Sequence, residues 1–370
     1  MAHPLAHARQ TAPLTPSTYS SMGITHEIVT VHTKHTFTIS RGGASEWKTV
    51  AVRVRDADGA EGWGEAAPNR FYGESPESVV AALARFGPLL EDLDPWHLEE
   101  AEARMNAAIR WNAAAKSGVS AALHDLAAKR LGVPLYKLWG LDPAKAPQSS
   151  FTIAIAPDDA TLRARVADAA GYPVLKIKLG SAEGTGRDRQ IIRTVREEAP
   201  EAILRVDANA AWNPKSALLM IELLAGLGVQ FVEQPLPPHD VEGLRFVRER
   251  SPLPIVADES CVVSTDIPRL VGAVDGINIK LAKCGGLREA LRMVATARSH
   301  GLLVMCGCMI ETSLGISAAA HLAPLLDYAD LDGAALLADD PYDGATVHGG
   351  RIVLPSAPGL GVTRRAAATA

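Results

Sequence analysis

Ile203-Leu204-Arg205-Val206-Asp207, Val229-Gln230-Phe231-Val232-Glu233 and Pro254-Ile255-Val256-Ala257-Asp258 decide the fold. Each is a short apolar or β-branched run that ends on an acid. The acids stand 26 and 25 residues apart (233 − 207; 258 − 233). About 25 residues is the length of one strand, one helix and two loops of a βα repeat. Three consecutive parallel strands are therefore expected to carry Asp207, Glu233 and Asp258 at the same end. Packing gives no reason for three carboxylates there. A hard divalent cation such as Mg²⁺ does, because it prefers oxygen ligands.

The same texture extends outward in both directions. Apolar runs at 151–155, 174–179, 203–207, 229–233, 254–257, 276–280, 302–306 and 328–331 alternate with helical stretches such as 214–227, 241–250 and 286–300. Eight runs with helical crossovers predict an α/β fold, a (β/α)8 TIM-type barrel. Ahead of it, residues 24–63 alternate polar and apolar side chains about the turn Asp56-Ala57-Asp58-Gly59, which predicts an antiparallel meander. Residues 75–139 switch to helical spacing. Strands followed by helices in one block predict an α+β domain. The chain thus divides into a disordered tail (1–22), an α+β domain (23–145), a barrel carrying the site (146–343) and a segment (344–370) that returns to the first domain. The tail lacks the apolar stretch of a secretory signal, and Met22 is an alternative start.

Composition excludes several classes. The 370 residues are 47% hydrophobic and 21% charged, ordinary for a globular protein of more than one domain. A net charge of −5 gives no electrostatic case for nucleic acid or an anionic membrane as partner. No apolar run approaches the roughly 20 residues of a membrane span. The four cysteines, Cys261, Cys284, Cys306 and Cys308, lack zinc-finger spacing and read as reduced thiols of a cytoplasmic protein.

The strand ends carry the chemistry. Numbering the predicted strands one to eight, Lys176-Ile177-Lys178 ends the second, Lys280 the sixth and Asp330-Leu331-Asp332 the eighth. Strands two and six are opposed in an eight-strand ring, and strand eight is opposed to strand four. All these residues ring the carboxyl end, where barrel active sites lie. With a metal held by Asp207, Glu233 and Asp258, a bound carbon presents opposite faces to Lys178 and Lys280. Two bases on opposite faces suit a 1,1-proton transfer next to a metal-bound carboxylate, with the cation stabilising an enediolate as charge develops. A lysine must be neutral to act as base, so its pKa is expected to fall through burial, the cation and Lys176. Asn209 and Glu259 flank two of the ligands and are expected to hydrogen-bond behind them.

Plainer readings compete residue by residue. A lone Asp after a strand is ordinarily a helix N-cap, and a lone strand-end Lys a solvated one. Caps do not explain six such residues at matched strand ends. Gly180–Gly186 is not followed by Gly-Lys-Ser/Thr, so it is no phosphate loop. His124, His300 and His321 fall in helical stretches, as core or surface residues do.

With Lys-x-Lys on strand two, acids on strands three to five and Lys280 on strand six, residues 25–362 resemble the enolase superfamily, in its muconate-lactonizing-enzyme subgroup. The resemblance implies an α+β capping domain over a modified (β/α)7β barrel, with the irregularity expected at the first barrel strand–helix pair. Within the subgroup the chain is similar to dipeptide epimerases, L-Ala-D/L-Glu epimerases among them. That likeness implies an isomerase inverting the α-carbon of a dipeptide's C-terminal residue. It implies one Mg²⁺ per subunit, with Mn²⁺ as a substitute. Lys178 and Lys280 would be the acid/base pair, assisted by Lys176. Asp330 and Asp332 would take the ammonium group. Arg41, in Phe37-Thr38-Ile39-Ser40-Arg41-Gly42, and Glu311, in Met309-Ile310-Glu311-Thr312, would contact substrate. Arg41 suits an acidic side chain. Phe71-Tyr72-Gly73-Glu74-Ser75 belongs to the same likeness. The implied partner is a small dipeptide, with a homo-oligomer left open. Muconate cycloisomerase, o-succinylbenzoate synthase and N-succinylamino-acid racemase are alternatives within the subgroup; a non-catalytic structural barrel is the alternative from another class.

Overall fold

Alternating side chains between residues 23 and 66 build a three-stranded antiparallel sheet: β1 (Gly23–Ile39), β2 (Gly42–Arg55) and β3 (Glu61–Ala66), in that order. The computed structural model describes residues 21–366, so residues 1–20 of the expected tail lie outside the described residues. Met22 is already part of the fold, buried, with its N–H on Glu91 O at 2.9 Å. Helices α1 (Pro76–Leu90), α2 (Leu98–Ala108), α3 (Ala113–Arg130) and α4 (Leu135–Leu138) follow. Val50, Val52 and Val54 on one face of β2 are fully buried with Val119 and Leu126 of α3 in one core. The sheet approaches α3 so closely that a β-carbon on Gly62 or Gly64 would collide with the helix backbone at Ala122 or Gly118.

Eight parallel strands then run in sequence order: β4 (Phe151–Ile153), β5 (Val174–Lys178), β6 (Ile203–Asp207), β7 (Val229–Glu233), β8 (Ile255–Ala257), β9 (Gly276–Ile279), β10 (Leu303–Gly307) and β11 (Tyr328–Asp330). A bridge from Ser149 to Ala329, with Ser150 N–H on Ala329 O at 3.0 Å, joins the last strand to the first. The eight predicted runs are thus the eight strands of a TIM-type barrel, each within a residue or two of its expected bounds. Between them lie α5 (Asp159–Asp168), α6 (Thr185–Glu198), α7 (Pro214–Gly226), α8 (Val241–Arg248), α9 (Ile267–Leu270), α10 (Leu281–Cys284), α11 (Leu287–Ser299) and α12 (Ser313–Ala320).

The departure from an ideal repeat falls at the other end from the one expected. The first pair, β4 and α5, is regular, and Asp158 caps the helix through Thr161 N–H at 2.7 Å. The strand without an α-helix is β11, followed only by a 3-10 turn at Ala334–Leu336. The chain beyond it, Asp339-Asp340-Pro341, has no apolar helical period to bury. β1 occupies that side instead: Ala338 N–H bonds His32 O at 2.8 Å, and Asp339 accepts His32 N–H at 2.6 Å. A cavity of about 460 Å³ remains there, between residues 33–37 of β1, the outer face of β4 and Leu336. The C-terminal segment runs back over the first domain. Leu360 N–H reaches Asp125 at 2.7 Å, and Gly359 O accepts Leu135 N–H at 2.9 Å.

Candidate active site

Register sets the height of each candidate side chain. Lys178 pairs with Asp207, and Asp207 with Glu233. Glu233 pairs with Val256, so Asp258, two residues on, points the same way. The three carboxylates are buried, and one oxygen of each lies within 4.8 Å of the others. The backbone bends sharply just past the acids. Asn209, Ala210 and Gln234 hold φ of 42°, 65° and 35° without being glycine, a strained conformation that tight functional loops retain. Gln234 repays the bend by fixing the next strand end, since its Oε1 accepts Asp258 N–H at 2.9 Å and Ser260 N–H at 3.0 Å.

Lysines interlock with this trio. Lys178 Nζ donates to Asp207 Oδ2 at 2.6 Å, and Lys280 Nζ to Asp258 Oδ2 at 2.8 Å. The two amines therefore hold opposite ends of the acid cluster, from β5 and from the end of β9. Lys176 sits deeper, with its Nζ 2.7 Å from both Glu233 Oε2 and Asp330 Oδ2 and 3.4 Å from Asp207 Oδ2.

The charges decide one another. Burial pushes the Asp207 carboxyl up, but Lys178 and Lys176 outweigh it and hold it at about 2. Burial acts likewise on Asp258, and Lys280 and Lys283 hold it well below the carboxylate range. Glu233 goes the other way, to about 7, because burial and the Asp207 charge exceed the pull of Lys176. The same anions act on two of the lysines. Burial lowers Lys280, yet the Asp258 charge more than cancels it, and the result lies above the usual lysine range. Lys176 is raised for the same reason by Asp330, Glu233 and Asp207, again against burial. A cation held by the same carboxylates would oppose this rise.

Other candidates separate into two groups. Asn209 lies behind the trio as expected, its Nδ2 on Asp207 Oδ2 at 3.1 Å and on Glu259 Oε1 at 3.5 Å. Glu259 in turn holds Arg41, at 2.9 Å. Arg41 also donates to Asn209 O at 3.0 Å and stacks 4.4 Å over the Phe71 ring. The loop bearing Arg41 is thereby docked at the metal-side strand ends. On the far side, Asp330 accepts Ser150 Oγ at 2.6 Å in addition to Lys176, and Asp332 accepts Thr152 N–H at 2.6 Å. Burial and then Asp330 push Asp332 up to about 7. Glu311 is buried with Oε1 on Met309 N–H at 2.8 Å.

Several functional partners escape sequence reasoning. Asn278 donates to Glu233 Oε1 at 2.7 Å; it stands two residues before Lys280, and strand alternation could have put both on one face. Lys283 Nζ reaches Asp258 Oδ1 at 2.8 Å, and its place one helical turn past Lys280 was the available signal. Tyr72, from the quoted Phe71–Ser75 run, has its hydroxyl pKa raised first by burial and then by the Asp258 and Glu259 charges.

The donor set fits Mg²⁺. Asp207, Glu233 and Asp258 offer hard anionic oxygens within one ion's reach of each other. Glu233 Oε2 is buried without an aligned hydrogen bond, despite the Lys176 ammonium at 2.7 Å. Such an oxygen is costly to leave unmatched, and a cation between the three would match it.

Residues 23–140 match the mandelate racemase/muconate lactonizing enzyme N-terminal domain, and residues 159–368 the enolase C-terminal domain-like family. The L-Ala-D/L-Glu epimerase of Bacteroides thetaiotaomicron is 40% identical over 333 residues, 90% of this chain and 85% of that one. The hydrophobic dipeptide epimerase of Roseobacter litoralis is 40% identical over 345 residues, 90% of this chain and 97% of that one. The dipeptide epimerase of Enterococcus faecalis V583, solved with Mg and L-Leu-L-Tyr, superposes with a TM-score of 0.88 at 33% identity, covering 93% of this chain and 100% of that one.

Proposed function

The chain belongs to the mandelate racemase/muconate lactonizing enzyme family of the enolase superfamily, and from that premise we propose that it is a Mg²⁺-dependent dipeptide epimerase. It inverts the α-carbon of the C-terminal residue of a dipeptide, L-Ala-D/L-Glu being one such pair, by 1,1-proton transfer. One observation carries the reading: Lys178 and Lys280 grip opposite ends of one acid cluster, at 2.6 Å and 2.8 Å. Both strands end at the same mouth, four places apart in an eight-strand ring.

A substrate carbon seated between the two amines meets one on each face. The lysine that is neutral takes the α-proton from its side; the opposite ammonium returns a proton to the other. Charge and proton count are conserved over the cycle, so either diastereomer serves as substrate. Lys176 stays an ammonium under the cluster, offsetting part of its negative charge. Asp207, Glu233 and Asp258 would hold Mg²⁺, and the ion would supply positive charge against electron density developing on the substrate carboxylate. Mn²⁺ suits the same oxygen set.

Asp330 and Asp332 suit the dipeptide's ammonium end. A carboxyl pushed up to about 7 by burial and a neighbouring anion is one that an arriving cation relieves. Arg41 and Tyr72 close the mouth from the capping domain. The four free thiols support a cytoplasmic setting. The test is α-proton exchange in D₂O, followed by mass and NMR, across L-Ala-L-Glu and apolar dipeptides. Exchange should require Mg²⁺ and stop with EDTA. If no dipeptide exchanges with Mg²⁺ present, the reading is wrong.

A further inference from the structure

We infer that Glu65, on strand β3 of the capping domain, is a positioning residue for Lys280: it grips the first turn of α12 and so anchors the far end of the segment that leads from Gly307, the end of β10 on which the Lys280 side chain rests, to Thr312. The inference builds on the epimerase reading above and adds to it a residue from the other domain.

Glu65 is 5% exposed and lies outside the acid cluster. Its Oε1 accepts Thr312 N–H at 3.0 Å, and its Oε2 accepts the Thr312 hydroxyl and, at 3.3 Å, Gly315 N–H. These are first-turn donors of a barrel helix, met by a side chain from 247 residues away. Of the first-turn donors within the helix, only Gly315 N–H relies on that acceptor. Thr312 already caps the helix by accepting Leu314 N–H at 3.2 Å, and Asp340 takes both Ser313 N–H at 3.0 Å and its hydroxyl at 2.6 Å. Nor is burial of Glu65 favourable in itself. Burial first, and the Glu311 charge second, push its carboxyl up to about 8. A buried acid kept against that cost, at a helix whose Ser313 and Leu314 donors are met elsewhere, serves position.

What it positions follows from the chain upstream. Lys280 Cε lies 3.2 Å from where a β-carbon on Gly307 would sit, so the lysine stem lies directly on that backbone. From Gly307 the chain passes to Thr312 in a loop held at two further points. Asn69 donates to Met309 Sδ at 3.4 Å. Gly333, next to Asp332, packs so tightly on the loop that a β-carbon there would stand 2.8 Å from Met309 O and 3.2 Å from Glu311 N. Glu311 closes the circuit. Its carboxylate lies against Gly315, whose N–H Glu65 holds, and it interacts with the Lys280 charge. Releasing Thr312 loosens the C-terminal end of the segment behind one of the two bases and leaves Lys178, on β5, untouched.

That asymmetry gives the test. Glu65→Gln and Thr312→Val should both slow epimerisation. In D₂O, one diastereomer of the dipeptide should lose α-proton exchange by on the order of ten-fold or more, as misplacement of a reacting group does. The other, whose proton leaves toward Lys178, should keep exchange close to wild type while failing to invert. Thr312→Ser, which retains the hydroxyl, should restore both. General weakening of the fold would slow exchange of both diastereomers alike, and that result overturns the inference. So does a Thr312→Val enzyme that behaves as wild type, which also covers the case of a Glu65→Gln protein that does not fold. If the wild-type enzyme exchanges no dipeptide, the epimerase reading itself has failed and this inference falls with it.

Discussion

Lys280 and Lys283 hold the two oxygens of one carboxylate. Lys280 Nζ is 2.8 Å from Asp258 Oδ2, and Lys283 Nζ is 2.8 Å from Oδ1. Lys283 also donates to Asp258 O at 2.5 Å and Asn278 O at 2.8 Å, and its side chain is wholly buried. One amine is thus free to work at the mouth because the other fixes the ligand behind it. Lys283→Met removes one partner of a buried pair and a donor shared by two carbonyls. Breaking such pairs costs about 3–5 kcal/mol. The metal-free variant should therefore unfold at clearly lower urea than wild type, and Mg²⁺ should recover part of the loss by supplying the missing positive charge. Equal midpoints in EDTA would show that Lys283 carries no such burden.

The opposed bases make a sharper prediction. Lys178→Ala and Lys280→Ala should each abolish inversion, since each removes one face of the transfer. Each should nevertheless leave α-proton exchange with one diastereomer, and the surviving diastereomer should differ between the two variants. Loss of a positioned base slows its own face by roughly 10²–10⁴. Two variants that spare the same diastereomer would place both amines on one face.

Much of this was legible in the sequence, and the limits have physical causes. The eight strands were readable because each is a short buried run bounded by polar turns, as in Ile203–Asp207 and Val229–Glu233. Their order in a ring then placed Lys178 and Lys280 without coordinates. The side-chain partners were less readable. Lys176 looked like a helper for proton transfer, but its reach to Asp330 across the barrel floor is a tertiary fact. Arg41 looked free for a substrate acid, yet it meets Glu259 from another domain. Glu65 gave no signal, since its donors lie 247 residues on. The missing helix after β11 was misplaced at the barrel's start because a superfamily pattern says that one crossover is irregular, whereas only the local chain says which.

Asp330 and Asp332 should part company on mutation. Asp332 accepts a neutral backbone donor at 2.6 Å, while Asp330 is tied to Lys176 at 2.7 Å. On the proposed role, Asp332→Asn should remove a charge-assisted contact to the substrate ammonium, worth about 1.5–3 kcal/mol. KM for dipeptides should rise roughly ten- to a hundredfold, with kcat less affected. Asp330→Asn also removes a carboxylate from Lys176, so kcat should fall together with binding. Identical kinetic profiles for the two variants would count against separate roles.

His321 sets part of the acid limit of stability. It is buried where α12 ends against the capping domain. Nδ1 accepts Tyr136 N–H at 3.1 Å, which assigns the proton to Nε2, 3.3 Å from Leu360 O. A second proton would have to enter at Nδ1 and break the bond to Tyr136. Burial accordingly lowers its pKa from 6.5 to about 4. As pH falls through 6.5 the unfolded chain takes up a proton that the folded chain refuses until about 4. The stability His321 contributes is therefore full above pH 6.5 and is lost as pH falls from there to about 4. The slope is at most about 1.4 kcal/mol per pH unit. Glu65, raised to about 8, tilts the other way and partly masks this in the wild-type curve. The difference between wild type and His321→Gln removes that background. In EDTA, urea melts from pH 7 to 4.5 should show the gap between the two proteins narrowing as pH falls; a gap independent of pH would mean that the folded protein protonates His321 as readily as the unfolded chain does.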